Sequence, residues 1–498
     1  MKKFWVFFVV VVSLVSCSKE VEIGGNVTNA SSMDRIELIE TSGISTLPLV
    51  NVGINEKGNF SARVQLPKNG MYVLAIGGKV IPLYIERGQK VDISGDMATI
   101  AEKYIISGDA EKNNDFLRSF DAEFKKYTET LSVEDLIKKN EKKFISLFEK
   151  IHREILQLVE KEAQKYKADD DVSNFKKLEI DAKLVSLLDS YEQNHGAFAG
   201  DRTYKVSKKF RDLYKNITKD NDRMVREIPI YRSYKVNKLG TDFQTFVTEK
   251  YGKASMPPLM SEAFGKFLSQ RKDLSPTEKD FFYALVISQT DLNYANVRNY
   301  DKIARLIDKY VVDKKIKKEL KTLQKVLMGV TRAGNVPNLK IENSVGVKTN
   351  IGDLNNKKPT LIMFYASYNP NLSLTTLPIL KKINELYSSK LDFVFVNLDD
   401  KKDIYLKTID TLLKGMTGSN YYVHGGINSD EAKRFGLYAF KLPNFILIDK
   451  NERLVGREYF SLEDPEFLEN LEKLTGKKEN VSELLKNDNI PQIQDKKE

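Results

Sequence analysis

The hydrophobic periodicity of this chain changes twice, and those changes limit what it can fold into. Over residues 22–110, apolar residues come in short alternating runs: Arg35-Ile36-Glu37-Leu38-Ile39, Phe60-Ser61-Ala62-Arg63-Val64 and Tyr72-Val73-Leu74-Ala75-Ile76. Lys57-Gly58-Asn59 and Gly77-Gly78 supply turns between such runs. Period-two alternation broken by turns predicts half-buried strands, here a small antiparallel β-sandwich. From 111 to 334 the period lengthens to that of a helix. Phe144, Phe148, Ile151, Ile155, Leu158 and Val159 share one face, and Phe175, Leu178, Ala182, Val185 and Leu188 another. Ser275-Pro276-Thr277-Glu278 reads as a capped helix start, and Ile303, Leu306, Ile307 and Tyr310 begin a late helix. No fixed repeat is present, so a solenoid is not expected. From Val336-Pro337-Asn338-Leu339 onward, strand and helix patterns alternate over 335–475, as in an α/β unit. The fold class expected is therefore α+β multidomain: an N-terminal antiparallel β-sandwich, a central all-α region and a C-terminal α/β domain. A polar tail follows over 476–498.

The amino terminus has its own logic. Lys2 and Lys3 precede an apolar run, Phe4 through Val12, too short to span a bilayer of about 30 Å as a helix. Leu14-Val15-Ser16-Cys17 follows. Together these resemble the signal peptide and lipobox of bacterial lipoproteins. The resemblance implies a signal peptide over 1–16, a lipidated tether over 17–21, and Cys17 as the acylated first residue. The membrane is then a partner through the anchor on Cys17, since several acyl chains hold a protein stably. Lys19, Glu20 and Glu22 partly resemble the surface-export signal of Bacteroidota lipoproteins; a plain tether is the other reading. The expected location is the outer membrane, with the periplasmic face and the cell surface both open.

Cys17 is the only cysteine among 498 residues, and Trp5 the only tryptophan. The net charge is +10; without Lys2 and Lys3 it is 77 − 69 = +8. That is mild for the length, and no compact basic block stands out, so no nucleic-acid partner is expected.

The C-terminal pieces carry a second resemblance. Gly346-Val347-Lys348-Thr349-Asn350-Ile351-Gly352-Asp353-Leu354 resembles a lead-in hairpin and turn. Leu361 to Ser367 and Phe393 to Asp399 resemble successive core strands. Phe435-Gly436-Leu437, then Leu442-Pro443-Asn444-Phe445-Ile446-Leu447-Ile448-Asp449 and Arg453-Leu454-Val455, resemble a cis-proline stretch and closing hairpin. Their order is similar to the TlpA/ResA-like branch of the thioredoxin superfamily. The sandwich in turn resembles the domain preceding thioredoxin-like domains in Bacteroidota lipoproteins, through Gly58-Asn59-Phe60, Tyr72-Val73-Leu74, Glu86-Arg87-Gly88 and Ile106-Ser107-Gly108.

This resemblance implies an active site of the form Trp-Cys-Pro-x-Cys after the first core strand. The chain has Tyr368-Asn369-Pro370-Asn371-Leu372 there. Asn369 stands at the attacking cysteine and Leu372 at the resolving one. Thiol–disulfide exchange needs a thiolate, which neither residue supplies, so no such activity and no catalytic residue are expected. The family offers the backbone before its cis-proline to an extended chain, as an added strand. Leu442 and Pro443 with the loop 368–372 form that candidate groove; the other reading is that Pro443 only shapes a loop and Asn369 only caps a helix.

Other clusters have ordinary explanations. His152, His195 and His424 share no metal-ligand spacing, so no metal is expected. Asp169-Asp170-Asp171 lacks the glycine and distal Glu of an EF-hand. Tyr231-Arg232-Ser233-Tyr234-Lys235 interleaves aromatic and basic residues, with a solvated or helix-packing stretch as the default reading. No cofactor motif appears. The function expected is a redox-inactive, lipid-anchored binding or scaffold component that engages an envelope protein or peptide. The alternatives are a non-redox envelope enzyme, or a helper that holds substrates for a cysteine-bearing oxidoreductase.

Overall fold

A computed structural model describes residues 20–31, 33–44, 47–252, 259–293, 296, 299–329, 336, 338–354 and 358–476. The leader 1–16, Cys17, Lys19, Pro337 and the tail from 477 lie outside them. Three units follow one another: N-terminal β-sheets, a central helical region, and a C-terminal thioredoxin-like α/β domain.

The first unit has eight strands: β1 (Glu20–Thr28), β2 (Arg35–Glu40), β3 (Val50–Gly53), β4 (Asn59–Gln65), β5 (Gly70–Ile76), β6 (Lys79–Ile85), β7 (Lys90–Asp96) and β8 (Tyr104–Gly108). They form two sheets, ordered β4-β1-β7-β8 and β3-β2-β5-β6. Val21, Ile23 and Val91 from one sheet share a core with Leu38, Leu74 and Leu83 from the other. Gly77 and Gly78 close the β5–β6 hairpin with φ of 51° and 81°, the left-handed pair a two-residue I′ turn requires. Two details correct the sequence expectation. β1 begins at Glu20, inside the expected tether, because Glu20 and Val21 already pair with Gln65 and Val64. The sandwich is also not wholly antiparallel: β1 and β7 run parallel, from Glu22↔Lys90 to Thr28↔Asp96. The intervening chain visits the other sheet, and that long crossover permits a parallel return.

The helices are α1 (Glu111–Glu129), α2 (Val133–Ile137), α3 (Glu141–Tyr166), α4 (Asp170–Ala199), α5 (Lys208–Ile217), α6 (Asn221–Glu227), α7 (Pro229–Tyr251), α8 (Met260–Gln270), α9 (Pro276–Thr290), α10 (Tyr300–Tyr310) and α11 (Lys314–Met328). Phe144, Phe148, Ile151, Ile155 and Val159 are all buried on α3. α4 buries residues on several faces, Leu178 and Ala182 on one and Ile180 and Leu184 on another, because α3, α5 and α7 surround it. At α9 the capping box is complete: the Glu278 amide donates to Ser275 Oγ (3.1 Å) and the Ser275 amide to Glu278 Oε2 (2.9 Å). Tyr231 and Arg232 are buried in α7, and Arg232 Nη2 donates to the Thr41 carbonyl at 2.6 Å. That aromatic and basic stretch therefore packs the helices onto the sandwich.

The last unit comprises β9 (Lys340–Asn343), β10 (Lys348–Asn350), β11 (Thr360–Tyr365), α12 (Leu377–Tyr387), β12 (Asp392–Asn397), α13 (Lys402–Thr411), β13 (Ser419–Tyr422), α14 (Asp430–Phe435), β14 (Asn444–Ile448), β15 (Leu454–Tyr459) and α15 (Pro465–Thr475). The sheet order is β10-β9-β13-β12-β11-β14-β15. Every residue of β11 is buried, as a central strand covered on both faces must be. Leu361, Met363 and Tyr365 point into one core and Ile362 and Phe364 into the other. β11 runs parallel to β12 and antiparallel to β14.

A buried charge ties this domain to the helices. Lys441 has a fully buried side chain whose Nζ donates to Glu458 Oε2 (2.7 Å) and to the carbonyls of Gly436 and Val326 (3.0 Å each). All three ammonium protons are thereby used. Val326 lies in the last turn of α11, where free carbonyls favour a cation. Gly329 follows with φ of 61°, and a Cβ there would lie 1.7 Å from Glu458 Oε2. Removing one partner of such a pair leaves an uncompensated buried charge, so Lys441→Met should destabilise the protein by about 3–5 kcal/mol in urea denaturation. Lys441→Met combined with Glu458→Leu should recover most of that loss; equal losses in the two variants would show that the pair is not the cause.

Candidate functional site

The site lies where β11 ends. The chain leaves the sheet through Ala366 and Ser367, passes Tyr368 to Leu372 and enters a π-helical turn, Leu372–Thr376, ahead of α12. Pro378 has no amide proton to offer the carbonyl four residues back, and the Leu377 amide instead closes a wider turn on the Leu372 carbonyl.

Asn369 is the hub of the loop. Its amide donates to the Ala366 carbonyl at 3.2 Å, and its carbonyl accepts from the Leu372 amide at 3.1 Å. Its Oδ1 accepts from the Asn371 amide at 2.9 Å. Its Nδ2 donates to the carbonyl of Leu442, across a short hydrogen bond. The Leu442–Pro443 bond is cis. Leu372 is wholly buried in the core under the loop, an apolar filling at its position, while Pro370 and Asn371 are exposed.

The structure thus brings the loop and the proline together, but it does not leave the expected free edge at Leu442. The carbonyl is taken by Asn369, and the amide donates to the Ala439 carbonyl at 3.2 Å. Leu442 and Pro443 are both buried. An extended peptide would have to displace these bonds before it could pair there.

Tyr368 has a second partner that sequence reasoning missed. The Arg35 guanidinium, from β2 of the sandwich, lies 3.8 Å from its ring centroid, a stacking arrangement that suits a planar cation. The same guanidinium holds Asp400 with two bonds, Nη1 to Oδ2 at 2.8 Å and Nη2 to Oδ1 at 2.9 Å. The Gly53 amide also donates to Asp400 Oδ2, at 3.0 Å. A Cβ at Gly53 would lie 2.7 Å from Arg35 Nη1, so a side chain there would make the guanidinium shift. The Tyr368 hydroxyl is buried with no hydrogen-bond partner. Burial raises its pKa well above the usual tyrosine range, against the opposing pull of Arg35.

Two further side chains hold this contact. Asn428 Oδ1 accepts from the Asn51 amide at 2.7 Å, and its Nδ2 donates to the Asn51 carbonyl. One amide side chain therefore pairs both backbone groups of an edge-strand residue on β3, which would otherwise invite another strand. Behind the loop, Asp399 is buried and accepts from the Ser367 amide (3.1 Å), Ser367 Oγ (2.9 Å) and Asn397 Nδ2 (2.7 Å). Burial raises its pKa, and the bonds from Asn397 and Ser367 oppose that rise. Residues around 35, 51, 400 and 428 carried no motif; only their meeting in space marks them.

The remaining candidates are scattered. His152 contacts Asp181 (2.7 Å), and His195 is buried against the Ile137 carbonyl (2.7 Å). Asp169 binds Lys112 and Asn113 of α1. Among the described residues, no cluster of His, Cys, Asp and Glu is arranged to hold a metal, and no helix is long and apolar enough to cross a membrane. Cys17 lies outside the described residues.

Residues 356–454 match a protein family described as thioredoxin-like. No curated protein matches the chain. A thiol-disulfide oxidoreductase from Bacteroides fragilis is 19% identical, aligning over 28% of this chain and 99% of its own, with a TM-score of 0.24. The thioredoxin domain of a thiol-disulfide oxidoreductase from Bacteroides vulgatus is 15% identical over 29% and 99%, with a TM-score of 0.25. A thiol:disulfide interchange protein from a Bacteroides species is 15% identical over 30% and 94%, with a TM-score of 0.24.

If Arg35 and Asp400 clamp the sandwich to the loop, their energies should not add. A double-mutant cycle of Arg35→Ala and Asp400→Ala, followed by urea denaturation, should return a coupling of about 1–3 kcal/mol. Additive losses would mean that the two residues do not act as a pair.

Proposed function

We propose that this chain is a lipid-anchored envelope protein whose thioredoxin-like domain serves as a binding or scaffold module and performs no thiol–disulfide exchange. The observation that carries this reading is Asn369, in the position of the attacking cysteine, spending its side chain on the Leu442 carbonyl. Exchange requires a sulfur that attacks and a second that resolves. Leu372 is a buried hydrocarbon, and Cys17 is the only cysteine in the chain. The similar structures carry the names thiol-disulfide oxidoreductase and thiol:disulfide interchange protein; this chain has no cysteine at 369 or 372.

The contacts around the loop support a structural use of it. Asp400, Asn428 and Tyr368 meet Arg35, Asn51 and Gly53 of the sandwich, so the end of the domain that holds the loop is engaged within the chain. A protein or peptide partner from the envelope would then dock on other surfaces, with the membrane reached through acylated Cys17.

Two measurements test this. The pure mature chain should show no dithiol-dependent reduction of insulin, and measurable turnover would refute the proposal. Cys17→Ala should abolish incorporation of a fatty-acid analogue; normal labelling of that variant would remove the anchor from the account.

A further inference from the structure

A stripe of lysines on α11 meets, at Lys318, the cleft that Glu20 also lines. Ile316, Leu320, Leu323 and Val326 turn one side of this helix into the core. On the other side Lys314, Lys317, Lys318, Lys321 and Lys325, together with Thr322, rim a shallow depression of about 460 Å³. Their spacings of three and four residues place them on one helical face. Lys317 and Lys321 share a single carboxylate, Asp308, at 3.6 and 2.7 Å. Among the described residues, Lys314, Lys318 and Lys325 have no carboxylate partner within ion-pair distance. Five lysines against one aspartate leave 5 − 1 = +4 on one face.

Position gives this charge a direction. Lys315 and Lys318 line a cleft of about 790 Å³ between the three domains, and Glu20, the first residue of β1, lines the same cleft. Three residue steps separate Glu20 from Cys17, a reach of at most about 10 Å. A tether of that length keeps a membrane holding acyl chains on Cys17 near this cleft, onto which Lys318 of the stripe opens. Lysines near an anionic lipid surface add to binding and cooperate with a lipid anchor.

We infer that the lysine face of α11 is a second membrane contact, docking on anionic phospholipid headgroups of the leaflet that holds the anchor. This rests on the anchor reading above. It assigns the helical region a role: with two points of attachment, the protein is held in one orientation on the surface.

The test uses the acylated protein reconstituted into vesicles. Because Cys17 is the only native cysteine and acylation blocks it, Thr322→Cys provides one thiol for an environment-sensitive fluorophore amid the lysines. The probe should shift to the blue in phosphatidylcholine vesicles containing phosphatidylglycerol and not in phosphatidylcholine alone, and high salt should reverse the shift. Each lysine replaced by glutamine should weaken the contact about fivefold, so K314Q/K318Q/K321Q/K325Q should lose the shift while still floating with the vesicles. Equal signals in both vesicles, or none in either from protein that floats, would overturn the contact and leave the anchor standing. An equal shift on adding soluble polyglutamate to phosphatidylcholine vesicles would overturn it in favour of a soluble anionic partner. Protein that does not enter vesicles at all would overturn the anchor and this contact together.

Discussion

The contact between the sandwich and the thioredoxin-like domain is centred on one guanidinium. Arg35 leaves β2 of the sandwich, stacks on Tyr368 and takes both oxygens of Asp400, 365 residues away in sequence. A planar cation can satisfy a carboxylate in its plane and an aromatic ring on its face at once, which an ammonium cannot. Gly53 leaves it room, and Asn428 closes the adjacent edge strand. Each of these contacts would be weak on an exposed surface. Together, partly shielded from water, they fix the angle at which the sandwich meets the thioredoxin-like domain.

The same contact packs the loop that follows β11 against the sandwich. Here Asn369 bridges to Leu442, Leu372 fills the core beneath, and Asp399 holds Ser367 from behind. Asp399 keeps its buried place through three hydrogen bonds, as a buried carboxyl must. Its raised pKa means that its charge weakens the fold as pH rises from the ordinary aspartate range through the raised value. At the other junction, Lys441 directs α11 onto the segment that leads into Leu442 and Pro443. The sandwich therefore reaches the loop directly, through Arg35 and Tyr368, and the helical region reaches the segment beside it, through Lys441.

The lysines of α11 show how secondary structure can create a feature. Along the chain they are interspersed with Ile316, Leu320 and Leu323, five lysines falling within the eight residues Lys314 to Lys321. Winding at 3.6 residues per turn separates the two kinds, so the apolar residues enter the core and the lysines gather outside.

What the sequence determined by itself was whatever depends on local pattern. Period-two runs located β2, β4 and β5, period-3.6 runs located α3 and α4, and Ser275 with Glu278 marked the start of α9, because in each case the residues that interact are near neighbours. The absence of cysteines at 369 and 372 likewise needed no structure, since no fold can supply a missing sulfur. Only the tertiary structure decided the parallel pairing of β1 with β7, the bond from Asn369 that closes the edge at Leu442, and the meeting of Arg35 with Tyr368 and Asp400. Those depend on chain segments separated by tens to hundreds of residues, whose approach is set by packing and loop closure that no window of sequence contains.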